Sequence, residues 1–296
     1  MRSRSFVWNY HVMLLPGILL LIAFSVIPMF GIAIAFQDFQ PTLGIFHSEW
    51  VGWDNFSYMF SLPDSKLIFV NTLTIALMKI AAGLIVPFVF ALLLHEVYHV
   101  KFKRTIQTIV YLPHFMSWVI LSGVLVNLLS LDGLINQMIK WFGGDPIMFL
   151  QSNSWFRAII VSSDVWKEFG FSTIIYIAAL TSINTNLYEA AAIDGATRFQ
   201  RLRHITVPSL MTTIILLATL ALGNVLNAGF EQILNLYNPI VYQTGDIIDT
   251  YVYRAGLLEI QYGLATAVGL LKSLVSFLLI TISYVLAARF ANYRIF

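Results

Sequence analysis

The stretch TNLYEAAAIDGATRFQRLRHITVPSL, Thr185 to Leu210, separates two strongly apolar runs of the chain. Its residues are ordered like a small folded element. Asn186 stands where a helix N-cap belongs, and Glu189 holds the reciprocal position of a capping box. The expected helix, Leu187–Asp194, ends at Gly195, which enters the left-handed region without steric cost. Thr197 and Gln200 repeat the capping arrangement for a second helix, and Pro208 is expected to start the next apolar run. Ala190, Ala191, Ala192 and Ala196 keep one surface small enough for another backbone to approach, while Arg198, Arg201 and Arg203 surround it with positive charge. A loop that merely reversed the chain would need none of this. The segment reads as a docking element.

Its surroundings decide the fold class. Of 296 residues, 58% are hydrophobic and 11% charged, against about a quarter charged in a soluble domain. Such a chain cannot cover itself with polar surface, so it reads as an all-helical, polytopic membrane protein. A net charge of +2 gives nucleic acid no electrostatic footing. The absence of cysteine removes disulfides, thiolate metal sites and cysteine nucleophiles, and leaves the compartment open.

Six segments reach the roughly 20 residues that a membrane helix needs. They are Val12–Phe36, Leu67–Leu94, Thr105–Ser130, Phe156–Leu180, Ser209–Phe230 and Leu264–Ala288. The first follows MRSRSFVWNYH and ends near an Ala33-Ile34-Ala35 that resembles a cleavage site. It is too long for a signal core of roughly 7–15 residues and reads as a retained span. Pro16, Pro28, Pro87 and Pro113 are expected to kink their helices. LDGLINQMIKWFGG, residues 131–144, alternates with helical period and reads as a short surface helix.

Orientation follows from the basic residues. One side collects ten of the seventeen Lys and Arg: Arg2, Arg4, Lys101, Lys103, Arg104, Arg198, Arg201, Arg203, Arg289 and Arg294. The other collects four, Lys66, Lys140, Arg157 and Arg254, and three lysines lie within spans. Both termini and the punctuated segment are therefore expected in the cytoplasm.

Two enzyme readings fail on geometry. A phosphate-binding loop needs GxxxxGK[ST]; Gly269-Leu270-Leu271-Lys272-Ser273 lacks that spacing and lies inside an expected span. HEVYH, His95 to His99, matches the HExxH zinc motif, and Leu131-Asp132-Gly133 resembles the aspartate motif of intramembrane zinc proteases. The two motifs are expected at opposite ends of a spanning helix, about 35–40 Å apart, too far for one metal. No catalytic residue and no metal ligand is assigned.

Glu189-Ala190-Ala191, three residues, Gly195, nine residues, Ile205, one residue, then Val207-Pro208 resembles the EAA signature of ABC importer permeases. Leucine usually precedes that proline, and valine departs from the pattern. The resemblance implies a type I importer transmembrane domain covering 1–296, with a first span at 12–36 that wraps a partner. Core spans fall within 67–288, with a cytoplasmic coupling segment at 185–208. It implies that Glu189 makes a polar contact to an ATP-hydrolysing subunit, that Ala190 and Ala191 allow close packing, and that Gly195 sets the bend. Asp194, Arg198 and Pro208 complete the coupling candidates. ATP and Mg would then sit on two partner ATPase subunits, and this chain would carry no cofactor.

Candidates for the substrate path come from ionisable groups inside spans, which are costly and therefore functional by default. Lys79, Asp164, Lys167, Glu168 and Lys272 qualify, the lysines lying about 12–20 Å deep by helical rise. Mutual pairing is the competing reading. Three lysines against two carboxylates leave a formal +1, a hint of an acidic ligand that a neutral buried lysine would erase. The stretch Asn235 to Leu257 adds Tyr237, Tyr242, Tyr251, Tyr253 and Arg254, whose rings and charge suit sugars. Interfacial packing is the alternative for those tyrosines. With PMFGIAIAFQDF near Pro28 and TAVGLLKS at Thr266–Ser273, the chain is similar to permeases for polysaccharide fragments, including uronate oligosaccharides. That resemblance implies import into a bacterium across its inner membrane by alternating access. The partners implied are a second, nonidentical homologous permease and an extracytoplasmic solute-binding protein. An ion-driven secondary transporter is the alternative from another class.

Overall fold

The computed structural model describes residues 4–290; Arg2 and Arg294, two of the ten cations expected on the inner side, lie outside the described residues, as do the side chains of Arg4 and Arg289. The chain divides into two compact units, one of Met1–Ser65 with Tyr251–Lys272 and one of Lys66–Thr250 with Ser273–Phe296.

In the first unit a helical path runs from Arg4 to Phe36. A π-turn, Ile22–Val26, interrupts it directly ahead of Ile27-Pro28, with the Ile27 N–H bonded to Ile22 O. Proline lacks an N–H and its ring crowds the carbonyl four residues back; a wider turn at that point relieves the clash without ending the helix. The path closes on a short antiparallel pairing of Gln37–Asp38 with Glu49–Trp50. Phe36 anchors that turn, stacked on Trp50 at 5.8 Å and edge-on to Trp53 at 5.4 Å. Asn55 Nδ2 donates to the carbonyls of Ala35 and Gln37, both at 3.0 Å. The first span itself is bare: Met13 is 80% and Phe24 76% exposed.

The second unit packs around Ile75, Phe156, Ile160, Leu226, Ile233, Val241 and Ile247. A second cluster holds Ala91, Tyr176, Leu180 and Leu210, and the Tyr176 hydroxyl donates to Leu84 O at 3.2 Å. Gly170 lets the Asn153–Thr181 helix touch the Val100–Tyr111 helix, since any Cβ there would run into Val110 O. Leu134–Trp141 forms the expected short helix, within the apolar stretch Trp118–Trp141. Asn136 fixes its position: Nδ2 donates to Ser130 O and Ile147 O, both at 2.9 Å, and Oδ1 accepts the Ile147 N–H at 2.8 Å.

Several sequence expectations need correction. Among the described residues five stretches, not six, are long and apolar enough to cross a membrane: Tyr10–Phe36, Pro63–His95, Trp118–Trp141, Arg198–Gly223 and Tyr262–Val285. The expected fourth span does form a helix, Asn153–Thr181, of 29 residues. Its centre holds Asp164, Lys167 and Glu168, so every stretch of it long enough to cross contains all three. The expected third span is broken. Its helix stops at Tyr111, Leu112–Phe115 forms a 3-10 turn around Pro113, Met116 is extended, and Ser117 caps a new helix at Trp118. The fifth span begins at Arg198 and ends at Gly223, so Phe230 belongs to a separate helix entered through Gly229 at φ 99°.

An alanine at Gly170 should lower the unfolding midpoint of the detergent-purified protein by several degrees, the signature of about 1–3 kcal/mol of overpacking. Gly123→Ala, where a Cβ meets nothing within 4 Å, should leave the midpoint unchanged or slightly raised.

Candidate functional site

The punctuated segment folds as an elbow. Its first helix is Thr185–Ile193, capped by Asn184, whose side chain accepts the Asn186 N–H at 3.0 Å. The cap thus lies two residues before the expected Asn186, and Glu189 is not part of a capping box. At the other end Ala196 N–H bonds Ala191 O at 2.8 Å and Gly195 N–H bonds Ala192 O at 3.1 Å, the paired bonds of a Schellman closure. Gly195 sits at φ 77°, and a Cβ there would meet nothing within 4 Å. Its requirement for glycine is dihedral, not spatial. Thr197 and Gln200 form the expected reciprocal box, with Thr197 N–H to Gln200 Oε1 at 2.7 Å and Gln200 N–H to Thr197 Oγ1 at 3.3 Å.

Across the bend the Tyr188 and Thr206 hydroxyls meet at 2.8 Å. Pro208 does not start the next span. The helix from Arg198 continues through a π-turn, Leu202–Thr206, in which Val207 N–H bonds Leu202 O, and then carries Pro208. Glu189, Ala190, Asp194, Gly195 and Arg198 are exposed and Ala191 half-buried. Ile193 stands 87% exposed at the tip and Phe199 69% exposed beyond the bend. The elbow therefore offers an apolar point flanked by two carboxylates. HEVYH does not share one helical face, because the helix carrying His95 ends there and Glu96 lies in a turn, 3.9 Å from Arg198.

Four of the charges singled out from the sequence pair with one another, Lys79 with Asp164 and Lys167 with Glu168. Lys79 Nζ, on Pro63–His95, contacts Asp164 Oδ1 at 3.0 Å, Ala228 O at 2.8 Å and Gln232 Oε1. Gln232, fully buried, passes its amide to Ile160 O and Ser163 Oγ, both at 2.8 Å. Lys167 Nζ donates to Glu168 Oε1 at 2.9 Å and His114 O at 2.8 Å, and lies 5.7 Å from the Trp118 ring centre. The other Glu168 oxygen meets His114 Nδ1 at 2.7 Å, and that imidazole stacks on Phe171 at 4.0 Å. Beside Lys79 and Asp164 a cavity of about 340 Å³ opens between the helices, with Ser172, Asn224 and Asn227 on its wall.

The outer candidates fall into two groups. Tyr237 and Tyr242 lie with ring centres 5.0 Å apart in the second unit. Tyr251, Tyr253, Arg254 and Lys272 belong to the first, where Arg254 covers the Tyr251 ring at 5.6 Å and approaches Glu259 at 3.9 Å. Sequence reasoning missed Asn71 and Arg157. Buried Asn71 donates to Gln243 O and Asp246 O, both at 3.2 Å, and accepts Arg157 Nη2 at 2.6 Å. Arg157 Nε reaches Thr244 O at 3.0 Å. An amide within the apolar run LIFVNTLTIAL was the available signal, as were His114 and Gln232 near span ends.

The profile of the family described as binding-protein-dependent transport system inner membrane component matches residues 83–292. The polygalacturonan/rhamnogalacturonan transport system permease protein YteP of Bacillus subtilis (strain 168) is 44% identical over 97% of this chain and 89% of its own. Protein LplB of the same organism is 42% identical over 98% and 91%. The fold is similar to that of a chain in a solved bacterial ABC transporter involved in import of the acidic polysaccharide alginate. That match has TM-score 0.89 and 40% identity over 97% of both chains. A second structure, of the alginate ABC transporter in complex with alginate pentasaccharide-bound periplasmic protein, matches with TM-score 0.90 and 38% identity over 98% of both.

The Lys79 and Asp164 side chains are 9% and 26% exposed, so Lys79→Met alone should cost about 3–5 kcal/mol by stranding a carboxylate. Adding Asp164→Asn should recover most of that loss, read as the thermal midpoint in detergent. Equal midpoints for the single and double variants would rule out a stabilising pair.

Proposed function

This chain belongs to the family of binding-protein-dependent transport system inner membrane components, and from that premise we propose how it works. It is a multi-pass inner-membrane permease of an ABC importer, and its cargo is an oligosaccharide derived from a polysaccharide. The cargo is acidic, of the polygalacturonan or alginate kind. Similarity along nearly the whole chain to permeases for those polymers supports this reading. Lys79 and Lys167 add nothing to it, because each is held by a carboxylate.

A loaded extracytoplasmic binding protein docks on the outer side, and a second, homologous permease completes the path. Two separate subunits bind and hydrolyse ATP with Mg. Their closure is received by the elbow at 185–208, which lies with both termini in the cytoplasm. The observation that carries this assignment is the Schellman-closed bend with Ile193 projecting from it. Such a bend is stiff, since both orphan carbonyls behind Gly195 are bonded. It transmits displacement to the Arg198–Gly223 helix as rigid-body motion and does not dissipate it in a loop. Glu189 and Asp194 supply the polar contacts beside the apolar tip, and the bare first span lies against the partner permease and lipid.

Two measurements test the reading. Gly195→Val forces a β-branched residue into the left-handed region, at a cost of about 1–2 kcal/mol. ATP-driven uptake into proteoliposomes of the full assembly should fall to background while insertion is normal, and Gly195→Asn should keep most of the uptake. Unimpaired transport by the valine variant would exclude the bend as the coupling element. In the same assembly, binding protein loaded with oligogalacturonate or alginate oligosaccharide should stimulate ATP hydrolysis severalfold more than a neutral galactooligosaccharide. Stimulation only by the neutral sugar would overturn the acidic assignment.

A further inference from the structure

At the base of the elbow a second groove, of about 600 Å³, runs between the last turn of the Pro63–His95 helix and the first turns of the Arg198–Gly223 helix. Leu92 and Leu93 line it from the first helix and Phe199 and Leu202 from the second, which also brings Arg198 and Arg201 to it. Leu93 and Phe199 are exposed. Both flanking helices are candidate membrane spans, so the groove sits at a hydrocarbon–water boundary.

Among the described residues the Arg201 side chain has no partner. Its Nε is enclosed and lacks a hydrogen bond, and its guanidinium enters no ion pair among the described residues. An enclosed N–H without an acceptor is uncommon in folded proteins and points to a missing one. Arg198 meets Glu96 only at 3.9 Å, with both side chains exposed, a weak surface pair. The groove's ionised groups, Arg198 and Arg201 against Glu96, leave a formal +1. Positive charge above an apolar wall, at the depth where a helix leaves the membrane, matches the two halves of a phospholipid.

We propose that this groove binds the headgroup of an anionic phospholipid, the phosphodiester between Arg198 and Arg201 and the acyl chains along Leu92, Leu93 and Leu202. Guanidinium recognises phosphate through paired N–H donors, and basic pockets at the cytoplasmic ends of spans take anionic headgroups. A bound lipid would brace the root of the elbow, so ATP coupling becomes sensitive to membrane composition. This depends on membrane insertion and on no assumption about the sugar.

Native mass spectrometry of the full chain, purified with its partner permease and ATPase subunits and titrated with phosphatidylglycerol or phosphatidylcholine, tests the proposal without any transport step. Phosphatidylglycerol should be retained several times more strongly than phosphatidylcholine. Arg201→Gln should weaken its retention roughly fivefold. Arg203→Gln, exposed and outside the groove, should leave retention unchanged, and Arg201→Lys should preserve most of it. Arg198→Gln gives the same readout should Arg201→Gln fail to insert. Equal retention of the two lipids by the unsubstituted protein would overturn the proposal. So would an equal effect of the Arg201 and Arg203 substitutions. Undiminished phosphatidylglycerol with loss of a copurifying ATPase subunit would give the groove to a protein partner instead.

Discussion

Inside a bilayer there is no water to bond a free carbonyl, and this chain breaks its helices repeatedly. Several of the breaks are closed by a side chain. Lys79 donates to Ala228 O, in the irregular stretch between Gly223 and Phe230, and Lys167 donates to His114 O, in the break that Pro113 makes in the third expected span. Asn71 holds the carbonyls of residues 242–246, and Asn136 those of Leu129, Ser130 and Ile147. A lysine is well suited to this work because three donors on a flexible stem can join a carbonyl and a carboxylate at once. The carboxylate neutralises it, and the carbonyl gains a charge-assisted bond.

Prolines pose the same problem from the donor side, and two are handled in one way. Pro28 and Pro208 each follow a π-turn and one β-branched residue, in the sequences IAFSV-IP and LRHIT-VP. The widened turn lets the helix continue past a residue that cannot donate. At Pro208 this has a mechanical result. The elbow's second helix and the fifth span are one continuous rod, so a push on the elbow would reach the span without an intervening hinge. The bend at Gly195 is then the place where direction changes, held by bonds to Ala191 and Ala192. The alanines of the signature serve twice, by small side chains outward and by bonded carbonyls inward.

Local chemistry was legible in the sequence wherever one residue's requirement dominates. Gly195 in the left-handed region, the Thr197–Gln200 box and the short helix at Leu134–Trp141 all follow from capping and periodicity read over a few residues. The Asn184 cap was missed because Asn184 and Asn186 are chemically alike and only packing chooses between them. Breaks in spans were missed for a different reason. Hydropathy averages over the window in which Leu112–Ser117 leave the helix, and the outer stretch 235–257 reads as a loop although Val241, Ile247 and Thr250 are buried in it. Long-range partners were out of reach altogether. Nothing near Lys79 in sequence names Asp164, 85 residues away.

That last gap changes what the intramembrane charges mean. Read from sequence, three lysines and two carboxylates suggested a surplus cation waiting for an acidic sugar. In the second unit Lys79 and Lys167 each face a carboxylate, and with Asp164 and Glu168 they sum to zero. A lysine whose ammonium already serves a carboxylate and a backbone carbonyl cannot bind an anion without releasing a broken helix end. Using such a lysine to select uronates would put affinity for cargo in conflict with the integrity of the span. The cavity beside Lys79 escapes that conflict, because Asp164 is partly exposed and Asn227, Asn224 and Ser172 present acceptors and donors of their own. Its chemistry suits sugar hydroxyls, which every unit of a polysaccharide fragment carries. In an importer of acidic fragments, discrimination by charge would then fall to groups other than Lys79 and Lys167.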